Sequence, residues 1–279
     1  MEDYRNLKLG IVQGRLIQSP KGCLQWFPQE HWQSEFFLAS SLGFRYIEFI
    51  AERNHNENNP VWSDSGINKI KELAEFNGLL LDVFCNDYII DHSLLQDRTV
   101  VEQAIHLISR ASALNIQKMV LPMFESSEMT KDNYRDYKPV LLEIATAAQK
   151  ANVVICLETM LNGNELLECI SYFNCENIKS VFDTGNRIAS GQDIYSDIIL
   201  LGDLINHVHI KDKDKTSANV LLGTGLVDFK RVFQSLSAIN YTGNFTFETT
   251  RGLNPVKTAR YNKMFVEFFA MEGFESGDQ

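Results

Sequence analysis

Three observations predict that this chain folds as a single-domain α/β protein, a (β/α)8 barrel. Eight short apolar runs alternate with segments that carry helical patterns. The runs, such as LLLDVF and KMVLPMF, are nearly continuous, which is typical of parallel strands covered by helices. The length of 279 residues suits one barrel of about 250 residues. Alternating strands and helices indicate a parallel sheet, and eight units favour closure over an open doubly wound sheet.

The elements follow in a regular order along the chain. The strands are predicted at 7–13, 46–51, 79–85, 118–123, 153–159, 178–183, 205–211 and 244–249. The helices are predicted at 30–42, 63–77, 97–114, 131–150, 162–173, 193–201, 228–237 and 255–270. Ser63 and Asp228 suit the N-cap position, whereas Gly43 and Gly78 stand where helix ends favour positive φ. We therefore expect the barrel to occupy 1–273, followed by a polar tail at 274–279.

Composition excludes several classes of protein. The formal net charge of −10 opposes nucleic-acid binding, which depends mainly on lysine and arginine. The first ten residues lack the pattern of a secretory signal, and no apolar stretch approaches the ~18 residues of a membrane span. Five scattered cysteines favour reduced thiols over disulfides. We expect a cytoplasmic protein without membrane or nucleic-acid partners. The sequence leaves the oligomeric state open, a dimer being one option.

Four successive strands in the second half each end in a residue that can bind a metal: Glu158, Asp183, His209 and Glu248. The carboxyl ends of barrel strands meet at one face, where catalytic residues of such barrels lie. A single polar residue at a strand end is more commonly solvated, but four in succession predict a site for one divalent ion. Three carboxylates and one imidazole suit Mn, Mg or Co and also accept Zn. His207 faces the same side as His209, and we choose His209 because it lies nearer the strand end.

Other polar residues at or near strand ends are candidate substrate contacts. Lys211 follows His209 by two positions and should also point inward. Asp212 and Lys213, which follow Lys211, are equally consistent with a solvated charge run, KDKDK. Arg15 and Arg251 could bind a phosphate through two hydrogen bonds each. The remaining candidates are Gln13, Glu48, Asn86 and Asn186.

Beyond these residues, the chain resembles the sugar phosphate isomerase/epimerase group of the xylose isomerase-like TIM barrel superfamily, which is related to endonuclease IV and tagatose epimerase. The segments that carry the resemblance are LGIVQGRL, GFRYIEFI, CLET, FDTGN, HVHIKD, LGTGLVDF and FTFET. The resemblance implies that Glu158, Asp183, His209 and Glu248 bind the ion. One departure is Asn186, since many members have a histidine there, and asparagine cannot act as an imidazole base. With six histidines in total, few of them near the strand ends, a three-metal nuclease is disfavoured.

The predicted chemistry is that of an isomerase, either a carbohydrate epimerase or an aldose–ketose isomerase. The metal would stabilise an enediolate, while Glu158 and Glu248 remove and return a proton as general base and general acid. The partner would be a small sugar or sugar phosphate, and Arg15, Lys211 and Arg251 offer a docking place for an anionic end. Two alternatives stay open: a sugar or inosose dehydratase using the same metal site, and a sugar-binding barrel without catalysis.

Overall fold

A computed structural model describes residues 7–275 and confirms the barrel. Its eight parallel strands close in chain order, each strand pairing with the next and β8 pairing with β1. The strands are β1 Lys8–Val12, β2 Tyr46–Ala51, β3 Val83–Asn86, β4 Lys118–Pro122, β5 Val154–Glu158, β6 Ile178–Asp183, β7 Ile205–Ile210 and β8 Asn244–Phe247. The third strand begins later than predicted, because the run from Leu79 to Leu81 serves mainly as the connection from the preceding helix and makes only an isolated bridge through Leu80.

Ten α-helices surround this barrel within the described residues. They are α1 Trp32–Ser41, α2 Asp64–Asn77, α3 Tyr88–Asp91, α4 Arg98–Ala113, α5 Lys138–Lys150, α6 Gly163–Phe173, α7 Thr184–Ala189, α8 Ile194–Leu201, α9 Phe229–Ala238 and α10 Pro255–Glu275. The short helices α3 and α7 were not predicted. The last helix includes the first two residues of the predicted tail, and 276–279 lie outside the described residues.

Local sequence explains several helix ends. Ser63 and Asp228 cap α2 and α9 as predicted, accepting hydrogen bonds from the backbone N–H groups of Gly66 and Arg231. Gly78 ends α2 in the left-handed conformation, with φ of 66°. Helix α5 begins seven residues later than predicted. Pro139 occupies its first turn, where a missing N–H does no harm, and a 3-10 segment precedes it.

The barrel has two distinct buried layers. Outward-facing strand residues pack with the helices into the main core, whereas inward-facing residues such as Val12, Ile50 and Val181 form a smaller cluster inside the barrel. Tyr46 also lies inside, and it fits because Gly10 faces its ring; a Cβ on Gly10 would stand 2.2 Å from the tyrosine Cζ. Towards the carboxyl ends of the strands the inward rows become polar, and this change of character positions the candidate site.

Candidate metal centre

The four predicted ligands converge at the carboxyl ends of the strands. Glu158 ends β5, Asp183 ends β6, His209 lies on β7, and Glu248 directly follows β8. One candidate ligand atom from each residue lies within 4.8 Å of those of the other three, and all four side chains are buried. Side chains two positions apart on a strand point to the same side, so Glu158 points inward like Cys156, which lies deeper in the barrel. The same alternation gives the ligands their common inward direction.

The imidazole of His209 is held in the orientation that a metal ligand requires. Its Nε2 lies 3.0 Å from Oε1 of Glu48, whose pKa is held below its usual range, against the effect of burial, by His209 and His207. An ionised carboxylate only accepts hydrogen bonds, so Nε2 of His209 carries a proton and donates it. Among the described residues Nδ1 has no hydrogen-bond partner, and it lies 3.6 Å from Glu158 and 3.4 Å from Glu248. A buried nitrogen facing two carboxylates, with its opposite nitrogen donating to a third, fits a metal ligand.

Burial alone would lower the pKa of His209, but Glu48 and Glu158 raise it well above its usual value. A cation that binds Nδ1 must therefore displace a proton. Asp183 shows a related feature. Its Oδ2 has no hydrogen-bond partner in the described part of the chain, although the Lys211 ammonium lies 2.9 Å away outside hydrogen-bonding geometry. These atoms and the chemistry of the donor set fit one divalent ion.

Lys211 is integrated into the same cluster. Besides its contact with Asp183, its Nζ lies 2.5 Å from Oε2 of Glu248. The lysine backbone is fixed by Thr184, whose hydroxyl donates to Lys211 O at 2.6 Å. Gly185 gives its stem room, because a Cβ there would stand 2.8 Å from Lys211 Cγ. The cluster of acids is thus partly neutralised by a buried ammonium group.

The two glutamates differ in their electrostatic surroundings. Burial raises the pKa of Glu158, whose Oε1 lies 3.4 Å from the side-chain amide of Asn186. Burial acts on Glu248 in the same sense, but Lys211, His209 and Arg15 outweigh it and hold its pKa well below the usual range. One carboxyl group therefore holds a proton more readily than the other, which is the asymmetry that acid–base pairs need.

The two arginines are largely engaged with backbone carbonyls. Arg15 donates to Thr249 O at 2.8 Å and lies 3.3 Å from Glu248. Arg251 donates to Gly14 O and Leu24 O, both at 2.8 Å. Both guanidinium groups tie the loop after β1 to the loop after β8, which leaves few donors for a substrate. Their assignment to substrate binding stays a prediction.

The other three predicted contacts also lie at this end of the barrel. Gln13 accepts from the N–H of Ile50 at 3.3 Å, and Asn86 donates to Gln103 at 3.1 Å. Glu48 is fully buried and uses both oxygens on histidines, the second at 2.8 Å from His207 Nε2. This arrangement makes Glu48 a support for His209, whereas its contact with substrate remains a prediction.

The segment KDKDK differs from a solvated charge run. Asp212 is buried and accepts hydrogen bonds from the N–H groups of Gly223, Gly225 and Val227, at 2.9 to 3.1 Å. It therefore anchors the loop that precedes α9. The solvated interpretation is wrong for Asp212, because three backbone donors replace its water.

Sequence reasoning missed Asp87, which directly follows β3. It is buried, burial raises its pKa to about 7, and its Oδ2 has no hydrogen-bond partner within residues 7–275. Glu248 and Glu158 lie close enough to raise its pKa further. Its place two residues after the predicted end of the third strand was the available signal.

We expect Glu48→Gln to weaken metal binding about 10- to 100-fold, the usual cost of losing the partner of a ligating histidine. The glutamine amide can accept from one histidine only, and its NH2 group would turn towards the N–H of the other. Titration of metal-depleted protein with Co²⁺, followed by visible absorbance, measures the effect. Glu72→Gln, at an exposed carboxylate paired with Lys69, is the control. Equal Co²⁺ affinity in Glu48→Gln and wild type would contradict the role given to Glu48.

Comparison with known proteins places this geometry in a family context. Residues 36–266 match the family model described as xylose isomerase-like TIM barrel. The L-ribulose-5-phosphate 3-epimerase UlaE of Shigella flexneri serotype 5b (strain 8401) is 26% identical over 238 residues, covering 78% of this chain and 82% of the relative.

Solved structures share the fold over nearly the whole chain. An L-ribulose 3-epimerase superposes with a TM-score of 0.77 at 19% identity, covering 98% of this chain and 97% of the other. A D-allulose 3-epimerase from Methylomonas sp. gives 0.73 at 19% identity, covering 94% and 98%. Within residues 7–275, none of the helices has both the length and the apolar character needed to cross a membrane.

Proposed function

The chain belongs to the xylose isomerase-like TIM barrel family, and from this premise we propose that it is a divalent-metal-dependent 3-epimerase of a ketose or ketose phosphate. An epimerase is an isomerase, the class to which the named relatives belong. The observation that carries the proposal is the convergence of Glu158, Asp183, His209 and Glu248, with Nδ1 of His209 facing two carboxylates.

The residues divide the work of such a reaction. A divalent ion held by the four ligands would supply a Lewis acid that polarises the carbonyl of a bound ketose. Glu248, kept ionised by Lys211 and Arg15, removes the proton from the carbon beside that carbonyl. Glu158, whose pKa is raised by burial, returns a proton on the opposite face. The configuration of that carbon is inverted, and the reverse reaction exchanges the two roles.

The surroundings support these proton transfers. Burial of all four ligands excludes bulk water, which would otherwise compete for the proton. Asn186, beside Glu158, can orient a substrate hydroxyl through its amide, but it cannot take a proton. The proposal assigns the proton transfer to the two glutamates. Epimerisation is favoured over dehydration because the named relatives are epimerases.

Turnover in D2O tests this function directly. Purified protein supplied with Mn²⁺, Mg²⁺ or Co²⁺ is incubated with L-ribulose 5-phosphate or L-ribulose. We expect deuterium at carbon 3 of the C3 epimer, with no loss of water, and we expect EDTA to abolish the exchange. A new carbonyl absorbance with loss of water would identify a dehydratase instead. Failure of both ketoses to exchange with every ion would overturn the proposal.

A further inference from the structure

A cavity of about 320 Å³ lies beside the metal cluster, on the side of Glu158 and Asp183. Asn186 connects the two, because it lines the cavity while its amide contacts Glu158. This distal cavity is lined by Ile90, Phe124, Glu125, Met160, Asn186, Ala189, Ser190, Lys213 and Ser217. Its volume falls within the ~300 to 1,000 Å³ typical of small-ligand sites. A substrate whose reacting carbons lie at the cluster can extend into it.

Lys213 provides the cation of the distal cavity. It is half-buried, and its ammonium has no ion pair or hydrogen bond within residues 7–275. Burial lowers its pKa and so does Lys211, while Asp183 and Glu248 act in the opposite sense, which places Lys213 within electrostatic range of the cluster. The acidic residue of the lining, Glu125, is already paired with Arg53. Among the lining residues, Lys213 is therefore a cation without a direct ion-pair partner within residues 7–275.

A short hairpin fixes the position of Lys213. Lys213 pairs with Asn219 across an antiparallel bridge, and Asp214 closes the turn by accepting from the N–H groups of Thr216 and Ala218. The preceding residue is Asp212, whose three backbone hydrogen bonds were described above. An ammonium held by a structured loop loses less conformational freedom when a ligand binds. The same hairpin brings Ser217, whose hydroxyl is free within residues 7–275, to the cavity wall.

The predicted anion contacts are less suited to this task. Lys211 lies between Asp183 and Glu248, and both arginines donate to backbone carbonyls. Lys213 faces a cavity and keeps its ammonium available. The apolar walls of the cavity, such as Phe124 and Met160, reduce competition from water for a charged contact.

We propose that the distal cavity binds the phosphate group of a ketose phosphate, with Lys213 pairing with the phosphate and the Ser217 hydroxyl donating to it. This inference rests on the proposed function for the orientation of the substrate. It assigns the preference for a phosphorylated substrate to Lys213.

The test compares kcat/KM for L-ribulose 5-phosphate with kcat/KM for L-ribulose in wild type, Lys213→Met and Lys215→Met. Lys215 is an exposed lysine of the same hairpin and serves as the matched control. We expect the ratio to favour the phosphate in wild type and to fall about 10- to 100-fold in Lys213→Met, as for loss of a hydrogen bond to a charged group. The ratio should not change in Lys215→Met. An unchanged ratio in Lys213→Met overturns the inference.

A binding measurement separates this inference from the proposed function. Inorganic phosphate is titrated into the metal-loaded protein and followed by calorimetry. We expect weaker binding in Lys213→Met than in wild type and Lys215→Met. If neither ketose is turned over, the proposed function fails and this titration alone decides. Equal phosphate affinity in all three proteins would then refute the phosphate site.

Discussion

Glu158→Gln is expected to lower turnover about 10³-fold while metal binding falls much less. The amide preserves the size of the side chain and one oxygen donor, but it cannot carry the proton that the reaction returns to substrate. General acid–base groups contribute ~10² to 10⁴-fold to rates. Glu158 is buried, which limits the access of bulk water that could replace it as a proton donor. Deuterium incorporation at carbon 3 and metal content per chain, measured on the same preparation, give the two quantities.

The control for this experiment is Glu176→Gln, an exposed carboxylate in the loop after α6. It should leave both exchange and metal content unchanged. Full exchange of the substrate proton in Glu158→Gln would remove Glu158 from the acid–base role and leave it as a ligand only.

His209→Ala and Asp183→Asn should both reduce metal affinity by at least ~100-fold, more than the 10- to 100-fold typical of outer partners. His209 supplies the one nitrogen of the donor set, and its removal leaves Glu48 with a single histidine partner. Asp183→Asn is the subtler change. Asp183 Oδ1 caps α7 by accepting from Asn186 N–H at 2.6 Å, and asparagine retains such an acceptor while losing the charge. Equilibrium dialysis against Mn²⁺ measures the affinities.

Thermal unfolding without metal distinguishes a ligand from a structural group. Asp183→Asn should unfold close to the wild-type temperature in EDTA, and the stabilisation that wild type gains from added Mn²⁺ should be much smaller in the variant. His31→Ala, at an exposed position that makes no side-chain cap, should behave as wild type throughout. Wild-type Mn²⁺ affinity in Asp183→Asn or His209→Ala would exclude the four-ligand centre.

The fold was predictable because local patterns determine it. Each apolar run needs two covered faces, and eight alternating units close most simply into a barrel. The grouping of Glu158, Asp183, His209 and Glu248 followed from the same logic, since parallel strands bring their carboxyl ends together. The predicted bounds of the third strand, 79–85, were wrong at its start. Its first residues are apolar, as in a strand, but they connect the preceding helix to the strand.

Contacts between distant segments could not be read from the sequence. The pairing of Glu48 with His207 and His209 crosses the barrel interior. Its geometry depends on the register of β2 relative to β7, to which β2 is connected through β1 and β8. The role of Arg251 as a phosphate contact stays a prediction, but nothing in its sequence neighbourhood shows that Gly14 O lies within reach of its guanidinium group. Lys213 could not be distinguished from the neighbouring charged residues by sequence. Its place in the hairpin and its position at the cavity wall distinguish it in the structure.

The closure of the barrel, where its first and last strands pair, has a consequence for biosynthesis. Strand β8 closes on β1, and Arg15 and Arg251 tie the first loop to the last one. A nascent chain leaves the ribosome with its N-terminus first, so the loop after β1 must wait for its partners until the chain has been synthesised through Arg251. Glu248 is also synthesised late, and the set of four predicted ligands is incomplete before it. Under the proposed function, a metal ion can be held by all four ligands only after Glu248 has been synthesised, so a chain truncated before Glu248 should not bind the ion with wild-type affinity.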